Sequence, residues 1–126
     1  MVYFFLVMGN FSFPKHRKLK SKKRFQFVYT HAKSKVNSWS ALYYAPAEDL
    51  KIGFAAGKRL GCAFVRNHVK RMMREAFRLH QQEIKPGYHL VWVARNKLIR
   101  ANLEIYVKTL LTLCREADIL IESENG

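Results

Sequence analysis

Between Ala63 and Gln82 the chain reads as a helix with two chemically opposed sides. At about 100° per residue, Val65, Val69, Met72, Met73, Ala76 and Leu79 fall in one arc and form an apolar stripe that has to be buried against another element. The opposite arc is basic. Arg66, Lys70 and Arg74 follow one another at i, i+4 spacing, with Asn67, Arg71 and Arg78 beside them. Such a helix cannot be fully internal, because its cations need solvent or a polyanion, and it cannot stand free, because its stripe needs a core. Like charges at this spacing cost an isolated helix about 0.2–0.5 kcal/mol per pair. A phosphate backbone relieves that repulsion, since arginine bridges phosphate oxygens with two parallel hydrogen bonds and lysine supplies a mobile point charge. The Asn67 amide both donates and accepts, and suits a base edge, a ribose hydroxyl or a neighbouring backbone group.

The rest of the charge is placed with the same bias. The chain has 126 residues and a net charge of +14. Residues 15–35 hold nine Lys or Arg and no acid, residues 58–78 hold seven against Glu75 alone, and the remainder is close to neutral. Ordinary soluble surfaces intersperse both signs, so the two segments read as the footprint of a polyanion, with nucleic acid first among the candidates. The length is that of one domain, no linker-like shift in composition divides it, and 49% hydrophobic residues are enough for a packed core. Cys62 and Cys114 lie far apart, match no metal-ligand spacing and make no disulfide framework, which fits a reducing cytoplasm. Cys62 reads as a small buried side chain rather than a reactive thiol. There is no Ser/His/Asp constellation, no Cys/His pair and no carboxylate cluster suited to two metals, so no catalytic residue and no metal site is expected in the protein alone.

Along the chain, Met1–Phe13 is uncharged and mostly apolar. Its first apolar run stops at Gly9, short of the roughly 20 residues a membrane span needs, and no basic region precedes it as in a secretory signal. It is expected to be an extension outside the domain, either disordered or an overlong start with Met8 as the initiator. A single domain is expected over 14–120, with a tail at 121–126. Ser21 predicts the cap of a helix from Lys22 to His31 with Phe25, Val28, Tyr29 and Ala32 on one stripe and Phe27 opposite. Trp39–Ala45 and Lys51–Gly57 read as strands joined through Pro46–Leu50 into an antiparallel pair. The breaker Pro86-Gly87 precedes a strand over Tyr88–Ala94, and Asn102 caps a last helix to Ala117, with Leu103, Val107, Leu110, Cys114 and Ala117 as its stripe. The order αββαβα predicts a two-layer α/β (α+β) sandwich, with helices on a small mixed sheet in the manner of ribosomal proteins.

Arg66-Asn67-His68-Val69-Lys70-Arg71-Met72-Met73-Arg74-Glu75 resembles the R-N-R-x-K-R-x-x-R-E signature of the bacterial ribonuclease P protein component. Lys58-Arg59-Leu60-Gly61-Cys62-Ala63 resembles the lead-in to that signature. Phe13 to Leu19 and Arg24 to Tyr29 resemble the family's amino-terminal region, and the likeness extends from Phe13 to Ala117. His68 departs from the pattern, standing where the family commonly has arginine. The resemblance implies a subunit of an endoribonuclease that removes the 5′ leader of precursor tRNA. In that enzyme the partner RNA and its Mg2+ perform the chemistry, and neither a further protein nor a membrane is required. It implies that Lys58, Arg59, Arg66, Asn67, His68, Lys70, Arg71, Arg74 and Arg78 face the catalytic RNA. It also implies that Phe25, Tyr29, Tyr43, Lys70 and Arg74 line a cleft for the single-stranded leader, where bases stack on aromatic rings and cations track the phosphates. For Phe25 and Tyr29, plain core packing is the competing expectation. A structural ribosomal-type RNA-binding protein shares the charge and fold class but leaves the signature unexplained. A DNA reader would need more base-reading side chains than Asn67 provides.

Overall fold

The structure, a computed structural model, describes residues 14–121, so the expected amino-terminal extension and all but the first residue of the expected tail lie outside the described residues. Three helices form where capping and periodicity place them. Helix α1 (Lys22–His31) starts at Ser21, whose hydroxyl oxygen accepts a hydrogen bond from the Arg24 amide at 3.2 Å. Helix α2 spans Ala63–His80. Helix α3 (Leu103–Glu116) is capped by Asn102, whose side-chain oxygen accepts from the Ile105 amide at 3.0 Å. Each cap satisfies one of the amides that a helix start leaves without an internal partner.

Four strands, β1 (Lys33–Val36), β2 (Ser40–Pro46), β3 (Lys51–Ala55) and β4 (Tyr88–Ala94), make one mixed sheet in the order β1-β2-β4-β3. Two expectations are corrected here. The element order gains a strand, because β1 has the sequence KSKV and lies largely exposed at the sheet edge, with no apolar run to announce it. The second correction concerns β2 and β3, which do not form an antiparallel hairpin. Strand β4 inserts between them, antiparallel to β2 with Leu42 opposite Trp92 and parallel to β3 with Ile52 opposite Leu90. Parallel neighbours need a long crossover, and α2 is that crossover.

Alternation along the central strand sorts the helices onto both faces of the sheet, which corrects the expected two layers to three. Leu90, Trp92 and Ala94 pack with α2 and α3 in the larger core, whereas Val91 and Val93 face α1 in a smaller one built on Leu19, Val28 and Ala45. The buried Trp92 indole N–H donates to the Ser40 hydroxyl at 2.9 Å, which removes the cost of enclosing an unpaired donor. At the carboxy-terminal end the Ile121 amide donates to the Glu83 carbonyl at 2.8 Å, which ties the last described residue to the turn after α2.

The helix stripes are rotated from those read in the sequence. On α2, Val69, Met73 and Ala76 are fully buried and Val65 is half-buried, but Leu79 is exposed and Phe77 is buried in its place. Phe77 is drawn in because β3 presents Phe54 beside it, with the two rings edge to face at 6.4 Å. On α3 the buried positions are Tyr106, Thr109, Leu110, Leu113 and Cys114, while Leu103, Val107 and Ala117 sit at the margin.

Candidate nucleic-acid interface

The basic helix begins with a sharp reversal of the chain. Gly61 has φ +137°, a conformation side chains oppose, and a Cβ there would lie 3.4 Å from that of Val65. The turn Lys58–Leu60 before it buries Leu60 and leaves Lys58 and Arg59 exposed next to the start of α2. Cys62 is exposed rather than buried, because the same reversal lifts it off the core. The backbone amides of Val65 and Phe64 that face it hold its thiol below the usual range.

Helical spacing divides the cations of α2 into two rows. Asn67, His68 and Arg71 are exposed and point away from the sheet. Arg66, Lys70 and Arg74 form the second row, nearer the sheet, and each is half-buried. The Arg66 Nε–H donates to the Gly61 carbonyl at 3.2 Å, which fixes its stem against the reversal. Burial, and then the charge of Arg71, pull the Arg74 guanidinium below its ordinary range. Among the described residues no acid pairs with Arg66, Lys70, Arg71 or Arg74. Arg78 is placed differently. Its Nε and NH2 donate to the two oxygens of buried Glu75 at 3.0 and 2.7 Å, and this fork raises its pKa. Glu75 thereby neutralises one of the nine expected contacts within the chain.

Lys70 and Arg74 form one wall of a groove of about 500 Å³ that wraps the outer edge of β3, with Ile52, Gly53 and Phe54 as its floor. The opposite wall comes from Phe25 on α1 and from Lys15, Lys18 and Leu19 in the segment before it. That segment is laid along the strand edge by a bridge between Lys18 and Ile52, with the Leu19 amide donating to the Ile52 carbonyl at 3.0 Å. Phe25 packs on the smaller core and also borders the groove. Tyr29 and Tyr43 lie beyond the groove wall on the same side of the sheet, edge to face with ring centroids 4.9 Å apart, and Tyr29 is exposed.

Lys15 and Lys18 were legible only as members of the basic 15–35 segment, and Gly53 and Phe54 only as part of a strand. A glycine within a strand is a known sign of close approach, and here a Cβ at Gly53 would lie 2.6 Å from a Phe25 ring carbon. A second basic hollow of about 670 Å³ shares Lys15, Lys18 and Leu19 with the groove and continues past Arg24 to Lys51 and His89. Arg24 is held there: its Nε–H donates to His89 Nδ1 at 2.8 Å, and the other ring nitrogen of His89 meets Asp49 at 2.9 Å.

Among the described residues no three of His, Cys, Asp and Glu converge as a metal site, and no helix is long and apolar enough to cross a membrane. The arrangement can bind extended anions bearing planar rings; it holds no apposed nucleophile and base. The family model described as Ribonuclease P matches residues 13–118. A ribonuclease P protein component of Caldanaerobacter subterraneus subsp. tengcongensis is 32% identical over 109 residues, covering 85% of this chain and 94% of the relative. One of Clostridioides difficile is 33% identical over 112 residues, covering 86% and 98%. The RNase P protein from Thermotoga maritima superposes with a TM-score of 0.71 at 25% identity, covering 84% of this chain and 98% of that one. The Staphylococcus aureus RNase P protein, at 23% identity and a TM-score of 0.73 over 83% and 98%, shares the fold.

Proposed function

Since the chain belongs to the ribonuclease P protein family, and is thus the protein subunit of an endoribonuclease, we propose that it grips two RNAs on adjacent surfaces. The exposed row Asn67, His68 and Arg71, with Lys58, Arg59 and the outer end of Arg66, docks the ribonuclease P RNA. The groove lined by Phe25, Lys70 and Arg74, continuing to Tyr29 and Tyr43, takes the single-stranded 5′ leader of precursor tRNA. The observation that carries this reading is the division of one helix's cations between an outward face and a groove with an aromatic wall.

The chemistry of each surface supports its ligand. The outward row offers a forked guanidinium and hydrogen-bonding amide and imidazole groups to a folded backbone, whose phosphates are fixed in space. The groove offers a ring to stack on and cations on both walls, a combination that tolerates any base sequence. Arg78 contributes to the helix rather than to RNA, because its fork is occupied by Glu75. Cleavage belongs to the RNA partner and its Mg2+. The groove walls are cationic and suit phosphate oxygens, whereas a magnesium ion would need carboxylates there. In this reading the particle works in the cytoplasm on precursor tRNA.

The test is reconstitution with a bacterial ribonuclease P RNA at low magnesium. Leader cleavage is expected to rise when the protein is added. Tyr29→Ala is expected to weaken binding of leader-bearing precursor more than of mature tRNA. Absence of stimulation by the native protein refutes the functional reading, and equal losses for the two tRNAs remove Tyr29 from the leader path.

A further inference from the structure

Phe64 is 81% exposed, while no other large apolar side chain among the described residues exceeds the 52% of Val36. It sits in the first turn of α2, where helical spacing makes it the leading member of the row Phe64, Asn67, His68 and Arg71 at i, i+3, i+4 and i+7. All four are exposed. Lone surface hydrophobics are common and need no explanation, but this ring shares its exposed helix row with His68 and Arg71 and follows the exposed turn that carries Lys58 and Arg59. No acid of the described residues is paired with any of these four. A protein partner with an apolar patch would have to accept that cationic surround, whereas an RNA supplies anionic backbone and flat, poorly hydrated bases together.

We propose that Phe64 is a stacking platform for an unpaired nucleobase of the ribonuclease P RNA, held at the leading end of the cationic row. The inference rests on the outward row docking that RNA, and adds to it a contact of a different physical kind. The phosphate contacts of Arg71 and its neighbours release counterions and weaken with salt. A base on a phenyl ring releases none, and persists at salt concentrations that erode the rest. The ring needs no rearrangement to be used, since it already projects from a rigid helix and not from a loop.

The experiment measures binding of the full chain to ribonuclease P RNA across a range of KCl concentrations, for the native protein, Phe64→Ala, Phe64→Trp and Arg71→Ala. Phe64→Ala is expected to weaken binding by roughly 5- to 150-fold at every salt concentration, the loss of one stacked base, with the slope of log K against log salt unchanged. Arg71→Ala is expected to make that slope shallower by about one counterion. Phe64→Trp is expected to restore affinity and to show indole quenching on addition of RNA, above the background of Trp39 and Trp92. Because Phe64 packs on nothing that it would leave empty, Phe64→Ala is expected to keep its urea midpoint, which is checked alongside. Native affinity in Phe64→Ala, a changed salt slope in that variant, or failure of Phe64→Trp to restore binding each overturns the proposal. So does sedimentation showing that the native chain self-associates through this ring and Phe64→Ala does not. Failure of the native protein to bind the RNA at all would instead overturn the docking reading on which the proposal rests.

Discussion

Replacing Gly53 by alanine tests whether the groove depends on where the Phe25 ring lies. The backbone at Gly53 is ordinary strand, so alanine meets no conformational barrier, and it removes the roughly 0.5–1 kcal/mol of entropy that glycine costs in a strand. The new methyl would come 2.6 and 2.8 Å from two ring carbons of Phe25. Carbon atoms rest at about 3.5–4.0 Å, so the ring has to retreat by roughly 1 Å. On one side it is held by Val28 and Val91, both fully buried; on the other lies the open groove. Over-packing of this kind costs about 1–3 kcal/mol, and turning the ring outward relieves it by narrowing the groove. The net change in folding stability is then a loss of about 0–2 kcal/mol, while the leader loses a stacking surface worth about 1–3 kcal/mol, or roughly 5- to 150-fold in affinity. The assay compares binding of leader-bearing precursor and mature tRNA by the reconstituted particle, together with urea unfolding of Gly53→Ala, Phe25→Leu and the double variant. Phe25→Leu removes the clash, so a coupling energy of about 0.5–3 kcal/mol is expected in the stability cycle. Zero coupling, or a leader preference equal to that of the native protein, refutes the reasoning.

Other perturbations address other parts of the structure. Arg78→Ala strands the buried Glu75 carboxylate and is expected to cost about 1–3 kcal/mol of stability, seen as a lower urea midpoint, while leaving the salt slope of RNA binding untouched; a shallower slope would return Arg78 to the interface. Iodoacetamide is expected to label one thiol in the native protein, the exposed Cys62, and both only after unfolding, because Cys114 is enclosed and its thiol is pushed up to about 12; bound ribonuclease P RNA is expected to slow the native reaction. The hydrogen bond from His89 holds the Asp49 carboxyl below its ordinary range. A depressed carboxyl contributes stability above its unfolded pKa and loses it as the pH falls through the folded one. Asp49→Asn is therefore expected to flatten the acid limb of the urea midpoint below about pH 4, and an unchanged limb would show that the contact is not made in solution.

Local signals in the sequence were reliable where a single element decides them. Ser21 and Asn102 cap the helices they announce, and the two-sided pattern expected over 63–82 is an amphipathic helix on a sheet that ends at His80, two residues early. What periodicity could not supply was partnership. Nothing in Trp39–Ala45 or Lys51–Gly57 says that a strand more than thirty residues later will come between them, because strand neighbours are chosen by the fit of whole faces. The same limit explains Phe77 and Leu79, which exchange places once Phe54 is brought alongside. In the candidate site, the residue types on α2 were legible but their distribution was not. Arg78 looks like its neighbours until Glu75 is seen to be buried beneath it, and the far wall of the groove is made by Lys15 and Lys18, placed there by a strand-edge bridge between distant segments.

The interposition of β4 also sets an order of events during synthesis. Strand β3 ends at Ala55 and its neighbour starts at Tyr88, and a ribosome adding about 5–20 residues per second needs roughly 2–6 s to make the stretch between them. The cationic helix is complete at His80, before the central strand that helps to shield its oily flank has begun. A nascent chain in this state stands beside ribosomal RNA, the largest polyanion in its vicinity. Slower translation across 56–94 is therefore expected to prolong the exposure of a half-made binder to the wrong nucleic acid.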